Sequence, residues 1–215
     1  ATIVLTMGTA LLFAVLADQV NWGGTLYKSM LIIPYAVAPP LAGVLWLFLF
    51  NPSGGVLTEL LHHFGYTWNH KINGNQALFL LIVSASWKQI SYNFLFFLAG
   101  LHAIPRSLIE AAAIDGASRW QILRKVVLPI SWPTISVLFV FFFVWTWNEY
   151  MIPMAFLMSD DVQTIPLALA TLQGQRTMEA TTLASASLLS IIPTIIFFII
   201  FQRKLSQGIT AGAVK

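Results

Sequence analysis

Arg106-Ser107-Leu108-Ile109-Glu110-Ala111-Ala112-Ala113-Ile114-Asp115-Gly116-Ala117-Ser118-Arg119-Trp120-Gln121-Ile122-Leu123-Arg124-Lys125-Val126-Val127-Leu128-Pro129 is the longest polar interruption with helical periodicity in a chain otherwise made of apolar runs. It reads as two short helices meeting at Gly116. The Ala-rich run from Leu108 to Ile114 favours helix, Gly116 permits the positive φ that ends it, and Ser118 caps the next helix. On the first helix Leu108, Ala111, Ala112 and Asp115 share one face, with Glu110 and Ala113 beside it. Pro129 and Pro133 mark the return to an apolar segment.

What surrounds this stretch is lipid-soluble. Hydrophobic residues make up 58% of the chain, charged residues 9%, and the mean hydropathy is +0.79, where soluble proteins carry about 25% charged residues. The fold class is therefore all-α: a polytopic helical membrane protein. Its 215 residues hold about five spans of roughly 20 residues each. With no cysteine, disulfides, thiolate metal sites and cysteine nucleophiles are excluded. Ala1 to Leu16 is an apolar run without a basic flank, so no cleavable signal peptide is visible. A first residue that is Ala and a short first span lead us to expect a fragment lacking its natural start.

Working outward from the hairpin, the preceding span covers Ala77 to Leu101 and the following one Ile135 to about Tyr150. Farther out lie spans at Ala1 to Ala17, Ser29 to Phe50 and Thr181 to Phe201. Gly8 and Thr9 are small residues that let helices approach closely in lipid. Pro34, Pro39 and Pro40 must interrupt the hydrogen-bond ladder of the second span. Either a simple kink or a break whose freed carbonyls meet protein or a cavity follows. Asn51 to Gln76 and Ser159 to Glu179 are long loops, the first containing a short amphipathic helix from Val56 to Phe64. Its His62, His63 and His70 lack a carboxylate at metal-site spacing and are expected at the surface. The tail, Gln202 to Lys215, is Gly-rich and expected to be flexible.

Basic residues orient the chain. With five spans, Lys28, Arg106, Arg119, Arg124, Lys125, Arg203, Lys204 and Lys215 share one side, against Lys71 and Arg176 on the other. That asymmetry puts the hairpin and the C-terminus in the cytoplasm, and Trp145, Trp147 and Tyr150 near the outer interface as an aromatic belt.

Few residues offer chemistry. Lys88 lies about eleven residues, roughly 15 Å, from the nearer end of its span. A buried cation there must be paired or face a wet pathway. Lys88 and Tyr92, with Gln89 and Asn93 beside them, share an i, i+4 surface suited to an anionic or hydroxyl-rich solute. Equally, Lys88 pairs with Glu149 or with carbonyls freed by the prolines; Asn148 and Glu149 invite the same two readings. The sequence contains no Gly-x-x-x-x-Gly-Lys-Ser/Thr loop for nucleotide phosphates, no His-Glu-x-x-His helix and no plausible Ser/His/Asp set. A transport subunit, not an enzyme, is expected.

Glu110-Ala111-Ala112, then Gly116, then Val126-x-Leu128-Pro129 stand at the spacing of the Glu-Ala-Ala loop of bacterial ABC-importer permeases, with Val126 in place of Ile. The chain resembles that binding-protein-dependent family, of the carbohydrate and glycerol-3-phosphate uptake type. Ile33 to Pro39, Leu45 to Pro52, Phe64 to His70 and Trp87 to Phe94 resemble one subunit type of glycerol-phosphate importers. Trp147 to Tyr150, Thr164 to Leu167 and Gln207 to Lys215 resemble the other type found in sugar importers, so the whole looks like a mosaic. The resemblance implies a multi-pass protein of the bacterial inner membrane whose hairpin is a coupling helix docked on a cytoplasmic ATPase. It further implies that Glu110 pairs with a basic residue of that ATPase, Gly116 makes the turn, Ala111 and Ala112 allow close packing, and Asp115, Arg119, Leu128 and Pro129 complete the contact. Implied partners are an ATPase dimer that holds the ATP and Mg, a second permease subunit, an extracytoplasmic solute-binding protein and lipid. No cofactor on this chain and no nucleic acid are implied. The rival class is an ion-driven secondary transporter or channel, which would place several carboxylates at midplane or repeat its halves; only Glu149 is a candidate.

Overall fold

The computed structural model describes residues 2–20, 23–157, 162–174 and 180–213, the stretch 203–213 as backbone only. Arg176, parts of the loop expected over Ser159 to Glu179, and Val214 and Lys215 lie outside the described residues, as do the side chains of Arg203 and Lys204. The fold is all-α, with no strand among the described residues. In chain order the helices are α1 (Thr2–Gln19), α2 (Gly24–Ala36), α3 (Pro39–Leu49), α4 (Val56–His63), α5 (Gly74–His102), α6 (Arg106–Ile114), α7 (Arg119–Ile122), α8 (Leu128–Trp147), α9 (Met151–Phe156), α10 (Ile165–Gly174) and α11 (Ala180–Ala213).

Arg119–Phe156 taken together and Ala180–Gln202 are long and apolar enough to cross a membrane. Two bent pairs, α2 with α3 and α5 with α6, each reach the same length and composition when joined, and α1 is apolar but shorter. The second span is not kinked but broken: the axes of α2 and α3 lie at 101°. Pro39 and Pro40 at the start of α3 have no N–H to continue the ladder, while φ −80° and ψ 123° make Val37 extended. Gly43 permits the close approach of α3 to α9, since a Cβ there would lie 3.1 Å from Ala155 Cβ.

α5 is the axial element. Ala10, Ala14 and Ala17 of α1 are fully buried against it, joined by Met7, Phe94, Phe97, Leu138 and Phe142 in one core. This stripe of alanines, not Gly8 and Thr9, provides the close helix contact: Gly8 faces open space and the Thr9 hydroxyl bonds back to the Leu5 carbonyl at 2.7 Å. A second core gathers Phe50, Trp68, Leu80, Ile152 and Phe156 at the other end of α5. His70 belongs beside it: it is 4% exposed, not a surface residue, whereas His62 and His63 are exposed. α11 leans on α8 through Phe197, stacked on Phe143 at 3.8 Å, and exposes Leu188, Ile195, Ile199 and Ile200. An exposed aliphatic face of that extent belongs against lipid. Pro193 does not break α11, and the tail that its glycines led us to expect as flexible continues the helix to Ala213.

Around the hairpin the local chemistry acts as read. Gly116 has φ +79°. The Ala117 N–H reaches the Ala112 carbonyl and the Gly116 N–H that of Ala113, both at 3.1 Å, which is a Schellman closure. Ser118 caps α7 and Gln121 returns the bond, a complete capping box. Residues Leu123–Val127 then form a π-turn before α8. Pro129 lacks an N–H and its ring crowds the Lys125 carbonyl, and the ladder widens there.

Candidate functional site

Two features stand apart from packing: a largely apolar cavity carrying a few polar groups at the middle of α5, and the exposed hairpin at its end. The cavity, about 210 Å³, lies where the α2–α3 break meets α5, α8 and α9. Tyr35 to Pro39 form one wall; Lys88, Gln89 and Tyr92 of α5 form the second; Trp145, Thr146 and Glu149 form the third. The break exists because Pro39 and Pro40 cannot continue the ladder of α2, which runs through Pro34 to Ala36, and it leaves the Val37 carbonyl outside both helices. Lys88 takes that carbonyl: its Nζ donates to Val37 O. Lys88 is 8% exposed and makes no ion pair with Glu149. Burying a cation in a membrane costs at least ~2.5 kcal/mol, and one hydrogen bond to a charged group returns ~1.5–3 kcal/mol. Of the two readings of Lys88, pairing with a freed carbonyl is therefore realised, and a cavity is present as well.

The remaining predicted residues separate. Gln89 lines the cavity and its Oε1 is buried without a hydrogen-bond partner. Tyr92 lines it too, edge-on to Tyr35 at 4.5 Å and tilted against Trp145 at 5.2 Å. Trp145 thus sits on the cavity wall, while Trp147 ties α8 to α11 through Nε1 donating to Ser190 O at 3.1 Å. Glu149 borders the cavity, but its Oε1 accepts the Met151 and Ile152 N–H groups at 3.1 and 3.3 Å, capping α9. Asn93 is fully buried away from the cavity, its amide donating to Gln89 O at 2.9 Å. Asn148 is exposed and bonds back to Val144 O at 2.7 Å, beside a shallower apolar hollow that it lines with Glu149. Tyr35 and Thr146 were missed by sequence reading, which pointed to carbonyls near the prolines as partners of Lys88 without singling out Val37. The Pro34-to-Pro40 spacing marked a break without saying what would face it.

At the hairpin, α6 has no buried residue. Glu110, Ala111, Asp115, Gly116 and Arg119 are all exposed, Ile114 is 86% exposed, and Ala112 is half-buried. Glu110 makes no hydrogen bond or ion pair among the described residues. Leu128 is half-buried and Pro129 exposed, where α8 begins. The inner side of the hairpin stands off from the bundle over a cavity of about 310 Å³ bounded by Asp18, Leu101, Ile109, Arg119 and Ile122. No group of three or more metal-ligating side chains occurs among the described residues.

These features define a class. Residues 6–211 match the family described as "Binding-protein-dependent transport system inner membrane component", and the chain belongs to it; it is a multi-pass membrane protein. In particular, it is similar to the sn-glycerol-3-phosphate transport system permease protein UgpA. It is 54% identical over 139 residues to that of Rhizobium meliloti (strain 1021), covering 65% of this chain and 47% of the relative. To UgpA of Escherichia coli O157:H7 it is 52% identical over 131 residues, covering 61% and 44%. The chain spans about half the length of the curated relatives it matches. Among solved structures, it superposes with a TM-score of 0.75 and 20% identity on a bacterial ABC transporter involved in the import of the acidic polysaccharide alginate, covering 96% of this chain and 77% of that one. A second crystal structure of a bacterial alginate ABC transporter, in complex with an alginate pentasaccharide-bound periplasmic protein, matches with TM-score 0.75, 20% identity and coverage of 92% and 69%. The fold is that of the importer permeases.

Proposed function

We propose that this chain is a membrane-spanning subunit of an ATP-driven importer for a small anionic, hydroxylated solute of the glycerol-phosphate class. The observation that carries the proposal is the α6–Gly116–α7 hairpin. It is fixed internally by a Schellman closure and a capping box, yet buries none of α6. A rigid apolar and charged surface that its own chain leaves uncovered is built for a partner. In this reading Ile114, Ala111 and Ala112 give apolar contact, and Glu110, Asp115 and Arg119 set the register on a cytoplasmic ATPase that holds the ATP and Mg. Leu128 and Pro129 join the hairpin to α8, so movement of the partner reaches α5 and α8 together. Five spans, α1, the broken α2–α3 pair, α5, α8 and α11, cross the membrane as one permease domain, with the hairpin and the tail on the cytoplasmic side as the basic residues require.

The solute path runs through the Lys88 cavity, with Gln89, Tyr92 and Glu149 on its walls and Asn148 outside it; Asn93 serves packing. Permease relatives named for glycerol 3-phosphate support an anionic solute, as does a buried ammonium in the cavity wall. A second permease subunit completes the path and a solute-binding protein delivers to it. The test is co-purification of an ATPase subunit with the membrane-embedded chain. Glu110→Lys and Gly116→Pro are expected to abolish it while leaving insertion intact. Retained ATPase binding in both variants overturns the assignment.

A further inference from the structure

An ammonium carries three N–H donors, and Lys88 uses one, on the Val37 carbonyl. Among the described residues no second hydrogen-bond acceptor meets it, and it shares the wall of the 210 Å³ cavity with Glu149, whose charge acts on it without a direct ion pair. Glu149, the carboxylate in the same wall, is held by the N–H groups of α9. Among the described residues, the one side-chain hydrogen bond from the middle of α5 to the α2–α3 elbow is therefore a charged donor resting on a neutral acceptor, beside the ring contacts of Tyr92 with Tyr35 and of Trp87 with Trp46.

We propose that Lys88 is a solute-operated latch: an anionic group of the phosphate monoester or carboxylate class enters the cavity, takes the ammonium from the Val37 carbonyl, and frees the α2–α3 elbow to move. The proposal rests on the reading that solute passes through this cavity. Its driving force is a difference in acceptor. Hydrogen bonds to an ionised acceptor are roughly twice as strong as those to a neutral one, so the anion draws the ammonium toward itself and away from the Val37 carbonyl. A neutral polyol offers no such exchange and leaves the latch shut. Gln89 Oε1, buried without a partner beside Lys88, accepts a hydroxyl of the same solute, which selects hydroxylated anions. The released Val37 carbonyl faces the cavity, where a water or a solute hydroxyl replaces the ammonium. Because the elbow is already broken at 101°, its movement sacrifices no helical hydrogen bond. An equilibrium that the solute biases through one contact follows, and only a solute with differential affinity for the released state shifts it.

The chain has no cysteine, so paired spin labels at Leu41→Cys on α3 and Phe96→Cys on α5, both exposed, report the elbow in lipid nanodiscs without background from this chain. Glycerol 3-phosphate is expected to shift the distance distribution of the Lys88 protein, and glycerol to leave it unshifted. Lys88→Met is expected to show the shifted distribution with no solute present, and Lys88→Arg to hold the unshifted one. A Lys88→Met distribution that superimposes on the solute-free Lys88 protein, or equal shifts with glycerol and glycerol 3-phosphate, overturns the latch. The labels are read in the assembled importer without ATP, where no motor movement contributes, so loss of the coupling assignment would leave the outcome unaffected.

Discussion

Replacing Gly116 tests how the hairpin is held. Its φ of +79° costs an L-residue about 1–2 kcal/mol, and no atom lies within 4 Å of where a Cβ would stand. The backbone alone therefore sets the penalty. Because α6 has no buried residue, the loss falls on the local closure and not on the bundle. A penalty of 1–2 kcal/mol lowers the closed population by about five- to thirty-fold relative to the open one. The series Gly116→Asn, Gly116→Ala and Gly116→Val should weaken the hairpin in that order, since Asn tolerates the left-handed region best. Amide hydrogen exchange at Gly116 and Ala117, whose N–H groups close the motif at 3.1 Å, should accelerate by the same factor. ATPase affinity should fall in parallel, with the melting temperature of the embedded chain unchanged. Protection in Gly116→Val equal to that of the glycine protein, or a drop in global melting, would refute the reasoning.

Two further predictions concern packing and pH. Ala14, fully buried between α1 and α5, has no room for extra methylenes: Ala14→Leu should destabilise by about 1–3 kcal/mol, whereas Gly8→Leu, facing open space, should be near neutral, both read by thermal unfolding in detergent. His70, in the loop before α5, has its pKa lowered by burial and then by the charge of Lys71, opposed by the Phe50 carbonyl. A proton therefore binds the unfolded chain more readily than the folded one. Stability is fully present above the unfolded value of about 6.5 and is lost as pH falls from there through the lower folded value. His70→Gln should remove that slope, and an unchanged acid profile would contradict it.

Gly116 and Ser118 were legible in the sequence because caps and closures are chemistry between near neighbours. Lys88 was legible as an anomaly, and the carbonyls freed by Pro39 and Pro40 as its possible partners, but the choice between them and Glu149 was not. That choice depends on the 101° angle of the break, set by contacts far apart in sequence: Lys88 on Val37, and Gly43 against Ala155. The α1 stripe was missed because Ala10, Ala14 and Ala17 read as ordinary apolar residues, while Gly8 drew attention by being smaller. His70 looked like surface in a polar loop until Trp68 and Phe50 folded over it. The glycines near the end suggested a loose tail, yet α11 runs through them to Ala213.

The central claim is that a separate motor grips the hairpin and that the membrane helices follow. The most direct measurement is uptake of glycerol 3-phosphate into vesicles containing the assembled importer, with ATP supplied on the hairpin side. The account predicts uptake that requires both the ATPase subunit and ATP and that disappears in Glu110→Lys. Uptake at full rate with no nucleotide-hydrolysing partner present would contradict it.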